Sequence, residues 1–261
     1  MRRQQRYLLP VTEPEVPDGW HTGPPDLVGV GAQRAGTTWW WRGAIRPHPG
    51  FVREAKPGKE IHFFDRFWDG REIPADLGEQ YARQFPRPEG AITGEWTPRY
   101  MHDFWALPLL AQAAPNTRIL VMVRDPVERY RSGIARELRL AEEDGTSLEI
   151  GIVGDAVYRS MYAQQLERLF ELFSRERVLV LQYEACSADP QAQMQRTQRF
   201  LGLEPLTEMP KLLVREHKPS QNKRELRAEL AEELIGRLSS DARRTADLCP
   251  EIDLSLWPSV G

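Results

Sequence analysis

The chain of 261 residues predicts an α/β fold: a single domain with a P-loop-like central parallel sheet flanked by helices on both faces. Three observations lead there. Short apolar runs at residues 26–31, 118–123 and 177–184 read as buried strands. Segments with helical spacing alternate with them. The runs end in Gly31 or lead into Asp125-Pro126 and Asp189-Pro190, pairs that suit a helix start.

Residues 1–25 carry Pro10, Pro14, Pro17, Pro24 and Pro25 with little periodicity, which predicts an extended lead-in to a domain spanning 26–261. "DLVGVG" (26–31) predicts a strand entering a loop, and "TTWWWRGAI" from Thr37 predicts a helix stopping near Pro47 and Pro49. "EIHFF" (60–64) is strand-like. "GEQYARQFP" (78–86) predicts a helix ending before Pro86, and "GAITGEWTP" (90–98) a short strand running into a loop.

"RILVMVRDPVERYRSG" is the clearest unit, with a strand over 118–123, Asp125 as N-cap and Pro126 in the first helical turn. Val157, Met161, Leu166, Leu169, Phe170 and Phe173 give residues 155–173 helical spacing. Residues 177–184 predict another strand, Asp189-Pro190 starts a helix through 202, and 225–248 read as a mixed-charge terminal helix on the surface. No repeat, low-complexity tract or linker divides the chain.

A net charge of -3 gives no reason to expect a nucleic-acid binder, so any anion site must be built locally. Two cysteines imply neither a disulfide framework nor a metal set. No apolar run approaches the ~18 residues of a membrane span, and residues 7–11 are shorter than a signal core of ~7–15 residues. A soluble, cytoplasmic protein is expected.

"GAQRAGTT" (31–38) nearly spells G-x-x-x-x-G-K-[ST], with Thr37 where the lysine belongs. Such a turn between strand and helix aims backbone N–H groups at an anion, and Thr37 and Thr38 add hydroxyl donors. Its cation is Arg34. A second anchor follows. Arg124 lies at a strand's C-terminal end, where open α/β sheets place ligands, and Ser132 stands two helical turns on. Together they suit a second phosphate far from the first. Alternatives at this level are an Arg124 ion pair with Asp125 or Glu128, an exposed Ser132, and a glycine turn that only permits close packing.

These segments resemble the sulfotransferases that use 3′-phosphoadenosine 5′-phosphosulfate (PAPS), from about Leu27 to Leu203. "GAQRAGTT" is similar to the family's 5′-phosphosulfate loop, commonly Q-K-A-G-T-T. "RDPVERYRSG" is similar to its 3′-phosphate motif, R-D-P-x-x-R-x-x-S. "KEIHFFD" (59–65) and "GEWTPRYM" (94–101) are similar to segments of the heparan-sulfate-type branch and its bacterial relatives. The resemblance implies a donor without β/γ-phosphates, handled without metal, which a Walker lysine would not serve. Gln33, Arg34, Ala35, Gly36, Thr37, Thr38, Arg124 and Ser132 would bind it.

The resemblance makes Glu60 the general base that takes the acceptor's proton. His62 would orient Glu60 or the acceptor from the same strand face, and Asp65 would support it. Arg34 stands where lysine is commoner, so its implied role is electrostatic stabilisation of the leaving phosphate rather than proton donation. Trp96 stands where lysine is usual in "GE-K-TP", which removes a cation and points away from a polysulfated glycan. The partner implied is a small-molecule or glycan hydroxyl acceptor.

"REHKPSQNKRE" (215–225) is a basic loop whose Lys218 and Lys223 can cover the donor's 3′-phosphate end or simply be solvated. A helix cannot bury Trp39, Trp40 and Trp41 on one face, so one of them is expected at an acceptor cleft. The competing readings are a P-loop small-molecule kinase, opposed by Thr37, and a non-catalytic nucleotide-binding protein.

Overall fold

The computed structural model describes residues 12–52, 59–214 and 227–261. Its strands are β1 (His21–Thr22), β2 (Leu27–Gly31), β3 (Pro86–Arg87), β4 (Gly94–Trp96), β5 (Arg118–Val123) and β6 (Val178–Gln182). The helices are α1 (Thr37–Trp40), α2 (Leu77–Ala82), α3 (Ala106–Ala113), α4 (Pro126–Glu143), α5 (Ile150–Tyr158), α6 (Ala163–Leu172), α7 (Tyr183–Ala188), α8 (Pro190–Phe200), α9 (Lys211–Val214) and α10 (Ala228–Leu248). A π-turn, Trp41–Ile45, continues α1, and a 3₁₀ turn spans Phe63–Phe67.

The central sheet has the order β4-β2-β5-β6 and every pairing is parallel. Each residue of β2 and β6 is buried, as is β5 beyond Arg118, because helices cover both faces of a parallel sheet. The apolar runs therefore carry no polar alternation. Asp125 caps α4 as predicted, its Oδ1 accepting from Val127 N at 3.0 Å and Glu128 N at 3.1 Å, with Pro126 inside the first turn. Lead-in residues 12–25 contain β1, which pairs antiparallel with β3.

Four local expectations are corrected. Residues 60–64 form no strand. His62 takes φ 57° and the chain turns into 3₁₀ helix, so that adjacent Phe63 and Phe64 both reach Tyr81, with centroids at 4.9 and 4.7 Å. Alternation along a strand would have put one of them outside. The predicted 155–173 helix is two helices. Between them Ser160 Oγ accepts from buried Arg129 Nε at 2.7 Å, and Gln165 bonds the Tyr158 and Met161 carbonyls. The third run stops being a strand at Gln182, and Tyr183 opens α7.

All three consecutive tryptophans are buried, against the expectation that one faces a cleft. The helix here passes into the π-turn, which spreads the rings over different neighbours. Trp39 meets Tyr183 edge-on at 5.7 Å, Trp40 Nε1 donates to Thr197 Oγ1 at 3.1 Å, and Trp41 meets Phe51 at 5.2 Å.

Trp96 is also wholly buried, stacked on the face of β2, with Nε1 donating to the Gly31 carbonyl at 3.1 Å. A Cβ on Gly29 would stand 2.0 Å from Trp96 Cγ. Gly29→Ala should therefore cost about 1–3 kcal/mol, the usual range for overpacking. Denaturant midpoints check it: the loss should shrink when Trp96→Leu is added, because the two side chains compete for one space.

Candidate functional site

β2 delivers the Gly31–Gly36 loop to the C-terminal edge of the sheet, beside the ends of β5 and β6. Arg34 sits in the left-handed region at φ 69°, as does Gly36 at φ 97°. A Cβ on Gly36 would come 2.5 Å from the Tyr183 ring. Glycine is needed there twice over, for its φ and for the ring beneath it. A long side chain held in left-handed backbone at a loop crest is a conformation that functional sites maintain at a cost.

The two predicted anion anchors meet. Arg34 Nε donates to Ser132 Oγ at 3.3 Å across 98 residues of chain, with Ser132 itself buried. They share an edge, and because Ser132 is buried the alternative of an exposed helix serine does not hold. Arg34 is partly buried, and this, followed by the charges of Arg136, Arg124 and Arg139 against Glu137, lowers its pKa. These arginines form a local concentration of positive charge on a chain of net charge -3.

Arg124 lies 3.6 Å from Glu128 and over the Tyr183 ring at 4.8 Å, so the ion-pair alternative is partly realised. Its Nε is buried with no hydrogen-bond partner among the described residues. An unsatisfied guanidinium N–H beside a cationic loop matches the donor set that a phosphate requires. The Arg124 backbone is fixed on both sides. Its carbonyl accepts from Tyr162 Oη at 2.9 Å, and the next amide, Asp125 N, donates to Glu184 Oε1 at 3.0 Å.

The second half of the site is a chain of charges leading away from the loop. Lys59 Nζ donates to Thr37 Oγ1 at 2.9 Å and lies 3.0 Å from Glu60 Oε1. Glu60 Oε2 is 3.3 Å from His62 Nε2, and His62 Nδ1 is 2.9 Å from Asp65 Oδ2. Arg99 stands 3.7 Å from Asp65 and bonds Asp103 at 2.5 Å. His62 reaches Glu60 through its own left-handed backbone rather than along a strand face.

These neighbours set the protonation states. Burial opposes charge on Glu60, but hydrogen bonds from His62 and Lys59 outweigh it and hold its pKa below the usual carboxylate value. Burial likewise opposes charge on His62, yet Asp65 and Glu60 raise its pKa to about 9. At neutral pH the ring is an imidazolium, a donor at both nitrogens and no base. Burial lowers the Lys59 pKa, with Glu60 restoring part of the loss.

β4 holds this segment in place. Trp96 N donates to the Lys59 carbonyl at 2.7 Å, Ile61 N to Glu95 Oε2 at 3.0 Å, and His62 N to Thr97 Oγ1 at 3.2 Å. Glu95 is fully buried and takes three more donors: Tyr81 Oη at 2.7 Å, Thr97 Oγ1 at 2.5 Å and Tyr100 Oη at 3.2 Å. Arg129, also buried, donates to Ala156 O at 2.7 Å and reaches the Gln33 carbonyl at 3.5 Å.

The structure thus brings together Arg34, Thr37, Ser132 and Arg124 at one edge, and Glu60, His62 and Asp65 beside it. Gln33 and Ala35 lie in the loop, and Thr38 in the first turn of α1. Lys218 and Lys223 fall outside the described residues. Sequence reasoning missed Lys59, Glu95, Arg129 and Tyr183, although all four stand in segments it singled out. A lysine next to a glutamate reads as surface charge until the fold shows what it touches.

Comparisons with known proteins give the family and the fold. A family model described as "Sulfotransferase family" matches residues 74–208, which include Arg124 and Ser132 but not the loop or Glu60. The chain is 31% identical over 191 residues to human heparan sulfate glucosamine 3-O-sulfotransferase 3B1, covering 69% of this chain and 46% of that protein. It is 32% identical over 190 residues to mouse heparan sulfate glucosamine 3-O-sulfotransferase 6, covering 69% and 52%. The chain therefore spans about half the length of the relatives it matches. In structure it is similar to a sulfotransferase from Alicyclobacillus acidocaldarius, with TM-score 0.68 and 24% identity, covering 90% of this chain and 99% of that one. That last likeness is one of fold.

Because the folded pKa of His62 lies above the ordinary 6.5, its protonation stabilises the fold. The contribution is complete below about pH 6.5 and should be lost as pH rises through about 9. Imidazole NMR of the folded chain should show this midpoint, and Asp65→Asn should bring it down. An unchanged midpoint in Asp65→Asn would remove Asp65 as a cause.

Proposed function

The chain belongs to the sulfotransferase family, and on that premise we propose that it transfers a sulfuryl group from PAPS to an acceptor hydroxyl by in-line displacement. The observation that carries the reading is continuity: an arginine-rich anion edge at Arg34, Ser132 and Arg124 joined through Thr37 and Lys59 to the Glu60 carboxylate.

In this reading Arg34 and the loop from Gln33 to Thr38 hold the 5′ end of the nucleotide, and Arg124 with Ser132 holds its 3′-phosphate. The bound donor supplies an electrophilic sulfur whose bond to the 5′-phosphate oxygen breaks as the acceptor oxygen bonds to it. Glu60 takes the acceptor's proton, and its depressed pKa keeps it ionised for that purpose at neutral pH. His62, an imidazolium, donates to Glu60 and aims it. Arg34 stays charged and stabilises the phosphate oxygen left behind. Positioning and charge account for most of such a transfer, as they do in phosphoryl transfer.

The relatives' names carry a glycan acceptor. Here Trp96 is buried and apolar at the position where the resemblance expects lysine, so the acceptor proposed is a hydroxyl compound of low anionic charge, a small molecule or an undersulfated glycan. Free, buried Cys186 and Cys249 suit a reducing, cytoplasmic setting, which forms part of the proposal.

Calorimetry without metal tests the donor assignment. Adenosine 3′,5′-bisphosphate should bind at least tenfold more tightly than 5′-AMP or ATP. Equal affinity for 5′-AMP would remove the role given to Arg124 and Ser132, and preference for Mg²⁺-ATP would favour a kinase. Glu60→Gln should keep the bisphosphate affinity while turnover falls about 10²–10⁴-fold; undiminished turnover would place the base elsewhere.

A further inference from the structure

Thr37 occupies the position at which a phosphate-binding loop of this spacing carries its lysine. The fold nevertheless brings an ammonium to that place. Lys59 is 22 residues further along the chain, and its Nζ sits 2.9 Å from Thr37 Oγ1. Its side chain is only 9% exposed and lies 6.0 Å from the centroid of the Trp96 ring, so aromatic and backbone atoms replace its hydration shell. Such burial costs a lysine free energy unless partners offset it.

The partners are informative. An ammonium has three N–H donors. Thr37 takes one and Glu60 Oε1, at 3.0 Å, takes another. The third has no partner among the described residues. Lys59 thus stands between the hydroxyl of the donor loop and the carboxylate of the proposed base, with one donor to spare. Its backbone is fixed by Trp96 N, which donates to the Lys59 carbonyl at 2.7 Å.

We propose that Lys59 is a catalytic residue: its ammonium replaces, from a neighbouring segment, the lysine that the loop lacks, and contacts the sulfuryl group during transfer. This rests on the sulfotransfer reading and adds to it the residue that joins donor and base. Lys59 offers a fixed positive charge where the equatorial oxygens of the group in flight gather negative charge, while Arg34 serves the leaving oxygen. It forms no bond and its proton count is unchanged. The same charge holds Glu60 ionised together with His62. Arg42 and Glu95 are the other charged groups that bear on Lys59, with opposite signs.

The test compares Lys59→Met and Lys59→Arg with the wild-type chain. Donor turnover is read as release of adenosine 3′,5′-bisphosphate from PAPS with a panel of phenol, alcohol and disaccharide acceptors. Lys59→Met should bind the bisphosphate, which has no sulfuryl group, within about threefold of wild type, while kcat falls at least about 100-fold. The acidic limb of kcat should move up by about one pH unit as Glu60 loses its cation. In the nucleotide-free protein the His62 imidazole titration should move upward too, since the repulsive charge beside it is gone. Lys59→Arg should recover at least tenfold of the lost turnover.

A kcat within threefold of wild type in Lys59→Met would overturn the proposal. So would bisphosphate affinity falling in step with kcat, or an unmoved pH limb and His62 titration. If Lys59→Met does not fold, Lys59→Gln keeps a donor to Thr37 without the charge and carries the same comparison. Wild-type chain that fails to bind the bisphosphate would overturn the parent reading as well, whereas intact binding with an indifferent Lys59 overturns this inference alone.

Discussion

The site depends on one constraint: charges drawn out of water must find each other. Lys59, Glu60, His62 and Asp65 alternate in sign along a short irregular stretch, each within 3.3 Å of the next. In the open each pair would contribute little. In series and withdrawn from water, they keep Glu60 ionised and His62 protonated, and the Thr37 hydroxyl ties the series to the glycine loop. Removing any member would leave its neighbour charged and under-partnered, which is far more costly than losing a surface pair. The proposed chemistry and the local fold therefore rest on the same contacts.

The rest of the domain can be understood as support for that row. β4 and the residue after it provide the backbone partners of Lys59, Ile61 and His62 through Trp96, Glu95 and Thr97. Glu95 in turn is saturated by two tyrosines and a threonine, so the buried carboxylate is a rigid strut rather than a strained one. On the opposite edge Tyr183 lies under Gly36 and beneath Arg124, one ring serving loop and anchor together. The C-terminal segment locks the same corner: Trp257 Nε1 donates to Glu184 Oε2 at 2.9 Å and Ser259 N to Asp125 Oδ2 at 3.1 Å.

Much of this was legible in the sequence, and each failure has a physical cause. The strand at 118–123 and the Asp125-Pro126 helix start were readable because burial on both faces and capping are local, patterned properties. The loop was readable because glycine spacing reports backbone geometry directly. What could not be read was contact between segments remote in sequence: Arg34 with Ser132, or Lys59 with Thr37. The short range of "EIHFF" misled for another reason, since β-rich composition says nothing about two adjacent rings that both need Tyr81. The three tryptophans misled because a regular helix would have put one of them outside, and the chain departs from one at Trp41.

The stacking of Trp96 on Gly29 ties the fate of one position to the other. A lysine placed at position 96 would vacate an indole-sized slot above a residue with no side chain, and would bring a second ammonium among apolar atoms beside Lys59, whose Nζ lies 6.0 Å from the centroid of the present ring. Positions 29, 59 and 96 consequently form one steric and electrostatic unit. The indole and the bare backbone beneath it are two halves of a single fit, and neither can be exchanged without disturbing the other.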